Sequence, residues 1–125
     1  MKLKYSQVKP LREQMLSEQT GCCALCQEPV LDDAVLDHCH KTGLIRGVLH
    51  RGCNSLLGKI ENSMPRSQVN IGRLEKIAEN LIKYMVSSKT DLLHPTHKTK
   101  EERREKLARK RKQNREKQKR QNKTA

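Results

Sequence analysis

Two pairs of metal-binding residues, each pair separated by two positions, constrain the fold of this 125-residue chain more than any other feature. Cys23 and Cys26 form the first pair, and His50 and Cys53 form the second after an interval of 23 residues. Ligands at this spacing can face one ion from a tight turn, and two such turns complete a tetrahedron. Zinc accepts a mixture of thiolate and imidazole ligands. The spacing therefore predicts a structural zinc site held by these four residues.

Two further cysteines offer alternatives at this site. Cys22 precedes the first pair, but the wider step from Cys22 to Cys26 is less usual for a zinc-binding turn. Cys39 could replace His50 as the fourth ligand, since both lie in the segment before Cys53. On the sequence alone, the fourth ligand is therefore either His50 or Cys39.

The composition indicates why the fold would need such an ion. The chain has no Trp, no Phe and only two Tyr, so it lacks the aromatic bulk for a large core. Domains of this size often need a metal or disulfides to reach adequate stability. The five cysteines are an odd number and no N-terminal segment has a secretory pattern, which favours metal-bound thiolates over disulfides. No apolar run approaches the roughly 20 residues of a membrane span. We therefore expect a soluble, intracellular protein.

Hydrophobic periodicity places short elements around the cysteine-rich segment. Residues 6–19 and 68–88 have the apolar spacing of amphipathic helices. The runs "VLDHCH" and "LIRGVLH" flank "KTG", a pattern typical of a two-stranded hairpin with Gly43 in the turn. The run "CNSLLGKIEN" predicts a helix that begins at or just before Cys53. These elements predict a small α+β fold. Its expected segments are an N-terminal helix, a metal-binding core, an amphipathic helix and a basic tail, over residues 1–20, 21–64, 65–90 and 91–125.

Most of the net charge of +13 lies in the tail. From Thr96 to the end there are 14 Lys or Arg and only 4 acidic residues. Clustered cations release condensed counterions from a phosphate backbone, so we expect residues 96–125 to bind nucleic acid. The alternatives are a solvated, disordered end, an acidic protein surface or an anionic membrane. The tail is either one extended helix or disordered in the free protein.

Four polar residues close in sequence are left over if zinc takes the two pairs: Asp37, His38, His40 and Asn54. Strand alternation puts both histidines on one face and Asp37 on the other, unless the strand bends there. Oxygen ligands from Asp and Asn suit Mg²⁺, and a neutral His can take a proton from water near pH 7. This set is suited to phosphodiester hydrolysis. The alternatives are extra zinc ligands or a surface cluster of histidines.

The segments "CALC" and "LDHCHKTGLIRGVLHRGCNSLLG" resemble the recombination endonuclease VII family of bacteriophages, which are His-Me finger (ββα-metal) nucleases related to the HNH class. The resemblance covers about residues 10–90 and rests on C-x-x-C, D-H-x-H, T-G-x-x-R-G and a final zinc pair followed by Asn. The family's zinc cysteines match Cys23, Cys26 and Cys53, whereas His50 stands where the family usually has Cys. The resemblance implies a zinc-stapled ββα unit, flanked by helices, that cuts DNA with catalytic Mg²⁺.

The resemblance also implies a role for each residue of the second cluster. The family's general base falls on His38, and its Mg²⁺ ligands fall on Asp37 and Asn54. His40 matches the second motif histidine, which would contact or polarise the scissile phosphate. Arg46 would either add a positive charge beside the phosphate or be a solvated surface residue.

The function that follows is a Mg²⁺-dependent endonuclease that is selective for branched DNA, such as a Holliday junction, or that nicks DNA. The resemblance places it in the cytoplasm of an infected bacterial host cell. Junction-resolving family members are intertwined dimers, which favours a homodimer. This chain is short after the catalytic unit, so the sequence does not decide whether it dimerises. The alternative is a non-catalytic, zinc-containing nucleic-acid-binding protein, which needs only the zinc pairs and the tail. A third interpretation is an adaptor whose tail docks on an acidic protein.

Overall fold

The computed structural model describes residues 1–124, which contain four α-helices and one two-stranded antiparallel sheet. In chain order the elements are α1 (Tyr5–Glu18), β1 (Ala34–His38), β2 (Ile45–His50), α2 (Arg51–Arg66), α3 (Ile71–Met85) and α4 (Lys100–Lys123). The predicted small α+β fold is confirmed. The last residue of the predicted basic tail, Ala125, lies outside the described residues.

The two strands form the hairpin that the sequence predicts, with Gly43 in the turn. Gly43 has a φ of 74°, a left-handed conformation that costs glycine little. Its N–H donates to the carbonyl of Cys39 at 2.7 Å, and the N–H of Cys39 donates to the carbonyl of Leu44 at 2.9 Å. The tight turn brings the end of β1 directly against the start of β2.

A bulge at the end of the hairpin changes which side chains share a face. Asp37 pairs with Gly47, but the next residue, His38, pairs with Ile45, so Arg46 has no partner on β1. Such a bulge bends the strand and increases its local twist. Asp37 is buried at 6% exposure, whereas His38 is exposed. Alternation along β1 puts Asp37 and His38 on opposite faces. The bulge leaves Arg46, which has no partner on β1, beside the buried carboxylate of Asp37.

The core beside this hairpin is small. Its three buried side chains are those of Cys23, Val30 and Leu49. Four partly buried side chains pack against them, those of Leu16, Ala34, Cys53 and Leu57. Helices α1 and α2 both pack against the sheet to cover this cluster. Cys23 and Cys53 belong to the predicted zinc site, so two of its four ligands are also core residues.

Gln19 attaches the end of α1 to β2 through its side-chain amide. Its Nε2 donates to the carbonyls of Cys22 at 2.8 Å and Val48 at 2.9 Å, and its Oε1 accepts from the N–H of Val48 at 2.9 Å. A Cβ at Gly47 would come within 3.2 Å of that Oε1 and 3.4 Å of the Cβ of Ala24. Gly47, the second glycine of the T-G-x-x-R-G motif, therefore leaves room for the Gln19 amide, which a larger residue would force to shift.

Helix α2 is longer than the sequence indicates, because the run that predicts it ends at Asn62 and the helix ends at Arg66. Pro65 lies in the last turn, where its missing N–H removes only one helical hydrogen bond. The N–H of Ser67 donates to the carbonyl of Ser63 at 2.9 Å, and that of Val69 to the carbonyl of Met64 at 2.9 Å. These two bonds satisfy carbonyls at the helix end, so the proline does not terminate the helix earlier.

The chain divides into two compact units, of which the first is Met1–Asn80 and the second begins at Leu81. The first contains the hairpin, α1, α2 and most of α3. The apolar stripe of α3 is confirmed as helical, but its residues within the first unit do not pack on the sheet.

Within the second unit the basic tail forms α4, the helical one of the two predicted alternatives. Its start is capped reciprocally. The Oγ1 of Thr99 accepts from the N–H of Glu102 at 3.2 Å, and the Glu102 carboxylate accepts from the N–H of Thr99 at 3.0 Å. No side chain of α4 is buried.

Among the described residues no helix is both long enough and apolar enough to span a bilayer.

Candidate metal centre and hairpin site

The four predicted zinc ligands form one cluster. The Sγ atoms of Cys23, Cys26 and Cys53 and a ring nitrogen of His50 all lie within 4.8 Å of one another. The Nδ1 of His50 is 3.3 Å from the Sγ of Cys26 and 3.9 Å from the Sγ of Cys53. Three thiols and one imidazole at these separations suit a tetrahedral zinc ion. The cluster joins the segment after α1, the end of β2 and the first turn of α2.

The first ligand pair sits on a short turn that backbone hydrogen bonds hold in place. The N–H of Cys23 donates to the carbonyl of Glu28 at 2.9 Å, and the N–H of Gln27 donates back to the carbonyl of Cys23 at 2.9 Å. The N–H of Ala24 donates to the carbonyl of Val48 on β2 at 3.1 Å. The turn is thus tied to the sheet by a hydrogen bond, and it brings the buried thiol of Cys23 and the exposed thiol of Cys26 close to the ring of His50.

The orientation of His50 fits metal ligation through Nδ1. Its Nε2–H donates to the carbonyl of Pro29 at 2.8 Å, which leaves Nδ1 facing the thiols. Ligating histidines commonly donate their other N–H to a carbonyl, which fixes the tautomer. The Pro29 carbonyl and the neighbouring thiols raise the pKa of His50 to about 9. Zinc binding would therefore displace a proton from this imidazole as well as from the thiols.

The surroundings of Cys23 favour a thiolate. Burial raises the pKa of the Cys23 thiol, but the backbone N–H groups of Cys26, His50 and Leu25 lower it to about 6. Burial and the other two thiols raise the pKa of Cys53 to about 11, because a second negative charge is unfavourable there without a cation. The donor set, its hydrogen bonds and its charge balance therefore fit a structural zinc ion.

The remaining cysteines lie outside this cluster. The thiol of Cys39 lies against Thr42 in the hairpin turn, and contacts with the Thr42 side chain and backbone lower its pKa. The Sγ of Cys22 is 3.7 Å from the carbonyl of Thr20. Of the two candidates for the fourth ligand, His50 is therefore the one that the structure brings to the metal cluster.

His38 and His40 stack on each other just before the hairpin turn. Their ring centroids are 4.8 Å apart and their planes differ by 11°. Both side chains are exposed, so they share a solvent-facing surface, and Asp37 is buried on the other side of the strand. This is the distribution that strand alternation predicts. Asn54 follows the last ligand in the first turn of α2 and is half-buried. Within residues 1–124, its amide makes no hydrogen bond with Asp37 or either histidine.

Arg46 bridges two carboxylates, one of which the sequence interpretation missed. Its Nε and Nη2 donate to Asp37 at 2.8 and 3.3 Å, and its Nη2 and Nη1 donate to Glu61 on α2 at 2.8 and 3.2 Å. The guanidinium lowers the pKa of Glu61, and the two carboxylates raise that of Arg46. Glu61 lies two helical turns after Asn54, and that spacing was the one signal for it. Arg46 is thus an ion-paired residue rather than a solvated one.

Comparison with known proteins assigns the family. A model of the recombination endonuclease VII family matches residues 1–86. The chain belongs to the recombination endonuclease VII family. Membership implies a nuclease that acts on DNA. A search among curated proteins gave no match. The endonuclease VII match covers α1, the hairpin, α2 and α3, and it ends before α4.

Proposed function

We propose that this endonuclease VII family member is a Mg²⁺-dependent, HNH-type (His-Me finger) endonuclease that cuts branched DNA or nicks duplex DNA. The observation that carries the proposal is the position of the zinc cluster. His50 ends β2 and Cys53 lies in the first turn of α2, so a zinc ion in the cluster would fix the turn that bears Asn54 to the hairpin that bears Asp37 and His38. A ββα unit fixed in this way supplies a base and two oxygen ligands from rigid elements.

His38 is proposed as the general base. It is exposed and therefore accessible to a water molecule and a DNA strand. An imidazole can accept a proton from water near neutral pH, and a positioned base is worth roughly a hundred- to ten-thousandfold in rate. The stacked ring of His40 limits the rotation of His38 and is proposed to contact the scissile phosphate.

Asp37 and Asn54 are proposed to hold the Mg²⁺ ion, because both offer the oxygen ligands that this ion prefers. When bound, the ion would stabilise the negative charge that develops on the phosphate and the leaving oxygen. The carboxylate of Asp37 is shared with Arg46, whose guanidinium also binds Glu61. Glu61 can therefore retain Arg46 beside the site while Asp37 binds a cation. Arg46 is then proposed to contact a phosphate oxygen.

DNA is the proposed partner, held by the active-site unit and by the basic residues of 96–124. The exposed apolar stripe of α3 would suit contact with a second copy of the chain, so a homodimer is part of the proposal. One observation favours the alternative function of a non-catalytic, zinc-containing nucleic-acid-binding protein. Asp37 is already neutralised by Arg46, and such a protein would use only the zinc cluster and α4.

The test is cleavage of supercoiled plasmid and of a four-way junction by the zinc-loaded protein. Mg²⁺ should be omitted rather than chelated in the control, because a chelator would also remove zinc. We expect Mg²⁺-dependent nicks, and His38→Ala should lower the rate at least about a hundredfold while keeping its zinc. The matched control is His97→Ala, an exposed histidine of the second unit that should cut normally. Equal rates for the two variants would remove His38 as the base, and an inactive parental chain would favour the non-catalytic alternative.

A further inference from the structure

The four glutamates of α4 lie on one side of the helix. Successive residues are ~100° apart around a helix axis, so Glu101, Glu102, Glu105 and Glu116 fall within an arc of about 100°. The opposite half of the circumference carries eight basic side chains and no acidic one. These eight residues, which define the acid-free face, are Lys100, Arg103, Arg104, Lys106, Lys110, Arg111, Arg115 and Lys117.

The glutamate side of α4 is nearly neutral. The five other basic residues of the helix share it with the glutamates, and they are Arg109, Lys112, Lys119, Arg120 and Lys123. Glu105 and Glu116 stand four positions before Arg109 and Arg120, the spacing at which opposite charges attract on a helix surface. The positive field of α4 therefore points to one side.

The chemistry of the acid-free face suits phosphate rather than a protein or a lipid surface. Leu107 and Ala108 are the only apolar residues of α4, so a protein or membrane partner would find little to bury. At the start of the helix the ammonium group of Lys106 lies against that of Lys98, which lowers the pKa of Lys106. An anion bound between two such groups would relieve their repulsion.

The same face also carries four amide side chains, those of Asn114, Gln118, Gln121 and Asn122. Amides can donate to phosphates and can pair with the edge of adenine in the major groove. The helix is ~36 Å long from its 24 residues, about one turn of B-form DNA, and an α-helix fits the major groove. A basic face about half the circumference wide would meet the phosphates on both edges of that groove.

We propose that α4 binds duplex DNA through its acid-free face and leaves its glutamate side in solvent. The proposal rests on the proposed DNA-cleaving function, and it concerns a helix outside the residues that the endonuclease VII family shares. In this proposal one face of α4 contacts the DNA. A tail that attracted DNA by its total charge alone would use all sides of the helix equally.

Two full-length variants with the same loss of charge test this proposal. The first replaces Arg104, Lys110, Arg111 and Lys117 by Gln on the acid-free face. The second replaces the same residue types, Arg109, Lys112, Lys119 and Arg120, by Gln on the glutamate side. Glutamine is a good helix former, and circular dichroism checks that both variants keep α4. The affinity for a short DNA duplex is measured as a function of salt.

We expect the acid-free-face variant to lose on the order of 10²–10³-fold in affinity near 0.1 M salt and to show a salt slope shallower by about 3. The glutamate-side variant should lose no more than several-fold. Equal losses would overturn the proposal, because they would mean undirected attraction. No loss in either variant would overturn it too, and would favour an acidic protein partner. Plasmid cleavage by the parental chain is assayed in parallel, so a failed nuclease proposal is recognised separately from a failed binding face.

Discussion

The hairpin region and α4 are stabilised by different kinds of interaction. The hairpin and the first turn of α2 converge on three thiols and an imidazole, and two of the thiols belong to the small core. Helix α4 has no buried side chain and is stabilised locally by a capping box and good helix formers. The hairpin region therefore depends on fixed distances between groups, whereas α4 needs only a regular arrangement of charge.

This difference matches the two proposed tasks. A base and metal ligands must be held within about half an ångström to act together, and the residues proposed for these roles sit on elements that a bound zinc ion would join. Phosphate contacts tolerate movement of long side chains, so a helix without a core can supply them.

Replacing a zinc ligand should unfold the hairpin region. Cys23→Ser removes one ligand and a core side chain, and zinc binding in small modules is worth on the order of 10 kcal/mol. The neighbouring Cys22→Ser is the matched control, because Cys22 lies outside the cluster. Metal analysis and thermal unfolding should show a loss only for Cys23→Ser. Stoichiometric zinc in that variant, or an equal loss in both, would contradict the assignment.

The hairpin region should also depend on a contact that involves no metal. Gln19→Ala removes three hydrogen bonds and leaves the N–H of Val48 without its partner, at a cost of about 2–3 kcal/mol. Gln14→Ala on α1 should cost little, since its side chain donates an exposed surface hydrogen bond to Glu18. Chemical unfolding of the zinc-loaded proteins measures both. Equal stabilities would mean that zinc alone holds α1 to β2.

Asn54→Ala should weaken the response to Mg²⁺ while zinc content stays normal. We expect the Mg²⁺ concentration for half-maximal cleavage to rise about tenfold or more, because lost metal contacts typically cost at least that much. Asn62→Ala is the control, an exposed asparagine on the same helix. A rise of the same size for Asn62→Ala, or none for Asn54→Ala, would place the Mg²⁺ site elsewhere.

Glu61→Gln should have the smallest effect, at most about 1 kcal/mol at pH 7, because the Arg46–Glu61 pair is 36% exposed on both sides. Arg46 lowers the pKa of Glu61. The ion pair therefore stabilises the protein fully at pH values above the pKa that Glu61 has in the unfolded chain. This stabilisation is lost as the pH falls through the lower pKa that Glu61 has in the folded protein. Unfolding of both proteins between pH 7 and 4 should show the difference shrinking. A difference in unfolding free energy that does not change with pH would mean that packing, and not the ion pair, causes the loss of stability.

The zinc cluster and the hairpin were predictable because their signals are local. Cys23 and Cys26 share one turn, and Gly43 with its flanking runs defines the hairpin in a few residues. The matched spacing predicted His50 as the fourth ligand, but only the fold excludes Cys39, since it decides which residue lies beside Cys26. The sequence also did not predict that the carboxylate of Asp37 pairs with Arg46.

The bridge from Asp37 through Arg46 to Glu61 depends on a bulge and on the rotation of α2 against the sheet. Both are tertiary features. The spacing of Asn54 and Glu61 indicates only that they lie on one side of α2, and it does not predict that Glu61 binds Arg46. The end of α2 was misjudged for a similar reason, because Pro65 is tolerated in a last turn whose carbonyls find other donors. The helicity of α4 was left open since it has no apolar stripe from which a helical period could be recognised.

Hydrogen exchange of the full chain before and after zinc is removed tests most directly whether the metal cluster holds the hairpin in place. We predict slow exchange for the amides of β2 and α2 only in the zinc-bound protein, and a loss of that protection when zinc is stripped. The amides of α4 should exchange at the same rates in both states, because that helix is stabilised locally. Protection of β2 and α2 that survives the loss of zinc would contradict the claim that the metal cluster holds the proposed catalytic hairpin in place.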